Sequence, residues 1–306
     1  IPIDEKTILT SDGIASLPDF PKSIVILGAG VIGCEFATIF SNYGRTKVFL
    51  IDKEDRILPF EDEDISAALA SNLERNGVVI HRGSSLESMK IVNGKVEYVL
   101  NYKDGRHEIY TVDNALISVG RVANTENLGL EAAGVQLNER GYCIDDATQT
   151  TVPNIYAVGD FTADISLVNV GELEGRYAVE RIFGQPPKDL IYENISTIMF
   201  LNPEVAAVGL NETQAKKRKI PYRMAVMDYR YINRAIASQA IALMIALDAS
   251  IDQLAELIFP HPSVPEGIQE CARMLRGKSI VKPEVFNLDL RCYRVDAEGR
   301  VENLYH

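Results

Sequence analysis

Ser23-Ile24-Val25-Ile26-Leu27-Gly28-Ala29-Gly30-Val31-Ile32-Gly33-Cys34-Glu35-Phe36-Ala37-Thr38 is the stretch whose reading decides the fold. Its first five residues form a nearly continuous apolar run, the mark of a strand buried on both faces, and the residues after Gly33 carry apolar side chains at helical spacing. Between them the glycines fall in the pattern G-x-G-x-x-G. Glycines recur in any tight turn, so the pattern gains its meaning from its flanks. Strand, glycine turn and helix follow one another here as in a dinucleotide-binding βαβ unit. Gly28 permits the sharp turn, Gly30 lets a pyrophosphate approach the backbone, and Gly33 lets the helix pack on the strand. Val31 and Ile32 open that helix, whose free N–H groups and positive dipole end attract phosphate. The competing reading, a turn with no nucleotide, lacks an explanation for the complete βαβ context.

A second apolar run, Lys47-Val48-Phe49-Leu50-Ile51, ends at Asp52, roughly twenty residues beyond the glycines, where the fingerprint places its acid. A carboxylate there accepts a hydrogen bond from a ribose 2′-OH and repels a 2′-phosphate. That favours NAD over NADP, with Lys53 and Arg56 close enough to soften the repulsion.

Working outward, helical spacing with acids in its first turn runs over 62–73 and stops at Asn76-Gly77. Val78-Val79-Ile80 reads as the next buried strand. Alternating runs over 96–100 and 108–110, with Asn93-Gly94 and Asp104-Gly105 at the turns, predict hairpins. Ala115-Leu116-Ile117-Ser118-Val119 returns to the parallel sheet. Glycine, proline and asparagine become denser over 121–188, where a strand is expected over 154–158, running into Gly159-Asp160. Beyond Asn194 the expected pattern is a strand over 195–200, a helix over 212–218, a strand over 222–228, and helices over 239–247, 251–258 and 266–275.

With 306 residues there is room for more than one domain, and a net charge of −12 argues against nucleic acid or an anionic membrane as partner. The basic cluster Lys216-Lys217-Arg218-Lys219 reads as a solvated helix end. The longest apolar run, over 240–247, is far shorter than the roughly 20 residues of a membrane span. The four cysteines, Cys34, Cys143, Cys271 and Cys292, show no framework spacing, which points to a reducing cytoplasm, and no metal site is assigned.

Further motifs carry a family resemblance. Gly120-Arg121-Val122-Ala123-Asn124-Thr125 followed by Leu128-Gly129-Leu130-Glu131, then Thr151-Val152-Pro153-Asn154-Ile155-Tyr156-Ala157-Val158-Gly159-Asp160, Pro203-Glu204-Val205-Ala206-Ala207-Val208-Gly209 and His261-Pro262-Ser263-Val264-Pro265-Glu266 together resemble the FAD-dependent pyridine nucleotide-disulfide oxidoreductases. Dihydrolipoamide dehydrogenases and soluble pyridine nucleotide transhydrogenases belong to that family. Ala123 replaces the proline of the family junction. The resemblance implies an α/β chain with a Rossmann-type NAD-binding domain over 1–120, the C-terminal part of an FAD-binding domain over 121–190, and an α+β dimerisation domain over 191–306. That last domain reads as shortened near 238–239. Gly120, Arg121, Gly159 and Asp160 would contact FAD, with Asp160 on the ribitol hydroxyls. The helix starting near Val170 would aim N–H groups at the flavin, and Glu35 would lie beside the nicotinamide. For Asp160, a helix cap is the plainer reading.

The resemblance makes His261 the acid-base of a dithiol reaction and Glu266 its orienting carboxylate, acting across a homodimer interface. Spacing alone favours the plainer reading of His261, a loop residue between two prolines with no chemical task. Phe259 stands where dihydrolipoamide dehydrogenases often carry a second histidine. The family's N-terminal FAD half, with its own glycine fingerprint and redox C-x-x-x-x-C, has no counterpart in these residues. The expectation is therefore a part of a longer flavoprotein; the chain starts at Ile1, and Glu302-Asn303-Leu304-Tyr305 resembles an expression-tag site. The implied activity passes hydride from nicotinamide to flavin and on to a small disulfide or dithiol substrate. A soluble NAD(P) transhydrogenase without redox disulfide, and a non-catalytic nucleotide-binding and dimerising module, are the alternatives.

Overall fold

A computed structural model describes residues 1–184, 189–192, 195–227, 249–256, 264–279 and 290–304. The helix expected over 239–247, the shortened stretch near 238–239, Phe259 and His261 lie outside the described residues, as do the side chain of Glu266 and the end of the helix expected over 251–258. The chain divides into two compact units, Ile1–Val119 with Ser196–His306, and Gly120–Ile195.

The first unit is built on a parallel sheet ordered β1-β8-β2-β3-β4, from β1 (Ile8–Leu9), β2 (Ser23–Leu27), β3 (Lys47–Ile51), β4 (Val79–His81) and β8 (Asn114–Ile117). Beyond their first residues Ser23, Lys47 and Asn114, its central strands are apolar because both faces are covered. Ile24, Ile26, Val48, Leu50 and Leu116 point into one core, shared with α1 (Val31–Asn42) and α2 (Glu63–Arg75). Their neighbours Val25, Phe49, Ile51 and Ala115 point into a second core beneath an antiparallel meander of β5 (Ser84–Val92), β6 (Lys95–Tyr102) and β7 (His107–Val112). Fully burying such an aliphatic side chain contributes about 1.5–3 kcal/mol. Asn93 and Gly94, both at positive φ (52° and 75°), make the tight turn between β5 and β6.

Residues 196–304 add an antiparallel hairpin, β11 (Ser196–Met199) with β12 (Val205–Val208), whose Met199 and Val205 join the first core. They also add α5 (Glu212–Lys217) and a sheet of β13 (Tyr222–Met227), β14 (Leu290–Val295) and β15 (Val301–Asn303). A reciprocal box of Asn211 and Gln214 caps α5, and its basic end is solvated as expected. Helix Val264–Leu275 presents Met274 to Cys292, Ala225 and Met227 of the sheet.

The second unit holds α3 (Leu130–Ala133), a hairpin of β9 (Asp145–Asp146) and β10 (Gln149–Thr150), a 3-10 turn Gly159–Phe161 and α4 (Val168–Ile182). The strand expected over 154–158 is a correction. Only a single bridge forms, Gln149 with Tyr156. Its neighbour β10 is two residues long and already pairs β9, so no ladder continues. Ile155 and Ala157 instead pack on Val135 and Cys143. Among the described residues no helix is long and apolar enough to cross a membrane.

Candidate functional site

β2 ends where the sheet order reverses, between β3 on one side and β8 on the other, the position where open α/β sheets bind ligands. Gly28 takes φ +103°, and a Cβ there would meet the Ser118 carbonyl oxygen at 2.4 Å. A Cβ at Gly33 would lie 1.9 Å from the Gly28 oxygen, so α1 can start this close to β2 only with glycine. Ser118 Oγ lies 3.0 Å from both the Leu27 and Gly28 carbonyls and adds a polar tie that the sequence reading missed. At Gly30 the situation reverses: a Cβ would meet nothing within 4 Å. The glycine there opens space at the α1 N-terminus, above Val31 and Ile32, instead of relieving a contact.

Asp52 closes this cradle. Its Oδ2 accepts from Ala29 N at 2.6 Å and its Oδ1 from Glu54 N at 2.9 Å. A carboxylate offers about four acceptor positions, so two remain for ribose hydroxyls. Arg56 turns inward, donating to the Pro59 carbonyl at 2.8 Å. Glu35, one turn into α1, accepts from Phe200 N at 3.0 Å, a partner 165 residues away. The open space, the helix end and the carboxylate fit a dinucleotide's pyrophosphate and ribose.

Cys34 lies at the same helix start with no exposure. Burial, then the charges of Asp52 and Glu35, push its thiol up to about 12. Burial raises Cys271 to about 11 and raises Cys143 and Cys292 as well. All four cysteines are free thiols held away from the reactive thiolate form.

The second unit holds Gly120, Arg121, Gly159 and Asp160. Arg121 Nη2 lies 2.6 Å from Asp160 Oδ2, and Tyr142 donates to the Arg121 carbonyl at 3.0 Å. These residues, with Val122, Asn124, Phe161 and Ser166, line a cavity of about 320 Å³. Asp160 therefore does not cap α4; it stands in a 3-10 turn facing a guanidinium. That cavity is at the small end of ligand sites, matching part of a large cofactor. Gly120, at φ +147°, leads directly into Arg121. α4 starts at Val168, one half-turn earlier than its expected beginning.

Sequence reasoning also missed Glu174. This carboxylate is 1% exposed, with Oε2 accepting from Gly159 N at 2.6 Å and Oε1 from the Tyr192 hydroxyl at 2.9 Å. The available signal was a charge at a helical spacing of four from both Val170 and Ala178, the buried positions of α4.

With this geometry in hand, comparison with known proteins defines the class. A family profile described as pyridine nucleotide-disulphide oxidoreductase matches residues 2–175, and the dimerisation domain of the same family matches residues 195–240. The chain belongs to the pyridine nucleotide-disulphide oxidoreductase family. It is 38% identical over 262 residues to a dihydrolipoyl dehydrogenase of Chlamydia muridarum, covering 84% of this chain and 55% of that protein. It is 35% identical over 239 residues to a soluble pyridine nucleotide transhydrogenase of Marinomonas sp., covering 78% and 50%. In fold it is similar to the crystal structure of LpdA from Mycobacterium tuberculosis, with a TM-score of 0.78 at 24% identity, covering 89% of this chain and 66% of that one. The chain thus spans about half the length of the curated relatives it matches.

Proposed function

We propose that this chain supplies the NAD(H)-binding part, and a portion of the FAD-binding part, of an oxidoreductase of the dihydrolipoyl dehydrogenase type. In this reading, residues 1–120 bind NAD(H), 121–190 contribute to FAD binding and 191–306 dimerise. The partner is a second copy of the chain, the substrate a small dithiol or disulfide, and the compartment the cytoplasm. The observation that carries the reading is the open cradle at Gly30 between the α1 N-terminus and Asp52.

Gly30, Val31 and Ile32 hold the pyrophosphate through helix N–H groups, while Gly28 and Gly33 set their position. Asp52 accepts from ribose hydroxyls. Glu35, fixed through Phe200 N, faces the nicotinamide end. In the second unit Gly120 and Arg121 place a guanidinium against Asp160, which follows Gly159 and accepts from ribitol hydroxyls. FAD, when bound, supplies two-electron redox chemistry between NAD(H) and a disulfide. His261 takes and returns a proton at the thiol, and Glu266 orients its ring.

Anaerobic NADH titration of the flavin-loaded protein, read by visible absorption, tests this. Measured on the full-length flavoprotein that contains this chain, the expected result is reduction of the flavin band with a new long-wavelength band from a thiolate outside these residues; a flavin spectrum that NADH leaves unchanged would overturn the reading. Bleaching without the long-wavelength band would move the function to soluble transhydrogenase, which the 35% identity to such an enzyme favours as second reading.

A further inference from the structure

We propose that Glu174 is a positioning residue for the flavin-binding turn, fixing Gly159 so that Asp160 is presented in a single orientation. This rests on the reading of Asp160 as a flavin contact. Glu174 sits between Val170 and Ala178 on the buried stripe of α4, where an ionised carboxylate is unfavourable unless its oxygens are satisfied. Among the described residues no lysine or arginine pairs with it. Its two oxygens are held by hydrogen bonds instead, from Gly159 N at 2.6 Å and the Tyr192 hydroxyl at 2.9 Å. A leucine would fill the same stripe with no polar atom to satisfy, so packing does not explain the carboxyl group.

What the carboxylate grips is the residue immediately before Asp160. Gly159 has φ +72°, a backbone state that side-chain-bearing residues rarely adopt. Its carbonyl accepts from both Thr162 N and Thr162 Oγ1 at 3.0 Å, so both polar atoms of Gly159 are held. The α4 backbone reaches it directly, since a Cβ on Gly171 would lie 3.1 Å from the Gly159 α-carbon. Glu174 thus ties the helix to the turn, and the turn aims the Asp160 carboxylate at Arg121, 2.6 Å away.

The chemistry distinguishes three substitutions. In Glu174→Gln the amide oxygen still accepts from Gly159 N–H, and the amide N–H₂ donates to a Tyr192 hydroxyl turned to accept. In Glu174→Leu the part-buried Gly159 N–H loses its carboxylate acceptor. Tyr192→Phe removes only the support behind the carboxylate. The experiment measures FAD affinity of the full-length flavoprotein that contains this chain by flavin fluorescence, and the Gly159 amide proton by NMR in its flavin-free form, with Asp160→Ala as reference. Glu174→Leu is expected to weaken FAD binding about tenfold or more and to abolish the downfield shift of the Gly159 amide. Glu174→Gln should restore affinity to within about threefold and leave an intermediate shift.

Should Glu174→Leu fail to fold, Glu174→Gln combined with Tyr192→Phe decides, because the amide then has no tyrosine to orient it and its oxygen is no longer held on the Gly159 N–H. An FAD affinity lowered about threefold or more supports the inference, and an unchanged affinity overturns it. If Asp160→Ala weakens FAD while folded Glu174→Leu binds it as wild type does, the positioning role is wrong and the flavin reading survives. If Asp160→Ala leaves FAD affinity unchanged, the flavin reading fails, and this inference fails with it.

Discussion

Gly30 and Gly33 stand three residues apart and are glycine for opposite reasons. A methyl group at Gly33 would meet the Gly28 carbonyl oxygen at 1.9 Å, whereas one at Gly30 would meet nothing within 4 Å. Gly33→Ala must push α1 away from β2 and is expected to lower stability by about 1–3 kcal/mol, together with NADH affinity. Gly30→Ala, at an ordinary φ of −77°, should keep the melting temperature within a few degrees and lose NADH affinity alone. Calorimetry with NADH titration on both variants checks the pair; a Gly30→Ala protein that binds NADH normally contradicts the close approach of pyrophosphate. Asp52 shows the same economy, since its two oxygens order the turn through Ala29 N and Glu54 N before any nucleotide arrives.

At the scale of elements, the meander β5–β7 covers the sheet face opposite the helices, and His81 of β4 lies at that seam. It stacks on Phe49 at 5.8 Å, meets Tyr110 edge-on at 4.8 Å and shares a 2.8 Å hydrogen bond with the Tyr102 hydroxyl through Nδ1. Burial lowers the His81 pKa, and the nearby Glu108 offsets this only in part. The unfolded chain therefore binds a proton that the folded chain resists. The stability His81 provides is present above its unfolded pKa of about 6.5 and is lost as pH falls through the lower folded value. His81→Phe should reduce the fall in melting temperature between about pH 7 and 5, the range over which the unfolded histidine takes its proton. Calorimetry at several pH values measures that slope, and identical slopes for the two proteins contradict the assignment.

The elements also show what was legible. β2, α1 and β3 were readable because a strand covered on both faces must be apolar throughout, and the β5–β6 turn because Asn93-Gly94 suits two positive φ values. The run over 154–158 is also mostly apolar but lacks a strand long enough to pair with. Residue type was equally silent about Glu35 and Glu174. One is satisfied by the backbone N–H of Phe200, and the other by the backbone N–H of Gly159 and a tyrosine. A backbone partner leaves no mark in a sequence.

For the molecule as a whole, the two units each bring together one set of candidate residues: Gly28, Gly30, Gly33, Glu35 and Asp52 in the first, Arg121, Gly159 and Asp160 in the second. The four cysteines are buried or half-buried thiols with raised pKa values, so the redox thiolate of the proposed activity is not drawn from them. Nucleotide binding by the first unit is the property on which the other roles depend. NADH titration of the 306-residue chain and of its Asp52→Ala variant, followed by nicotinamide fluorescence, tests that most directly. The expected result is saturable binding of one NADH per chain, weakened by about 1–3 kcal/mol in the variant through loss of a charged hydrogen-bonding partner. No saturable binding, or equal affinity in both proteins, would contradict it.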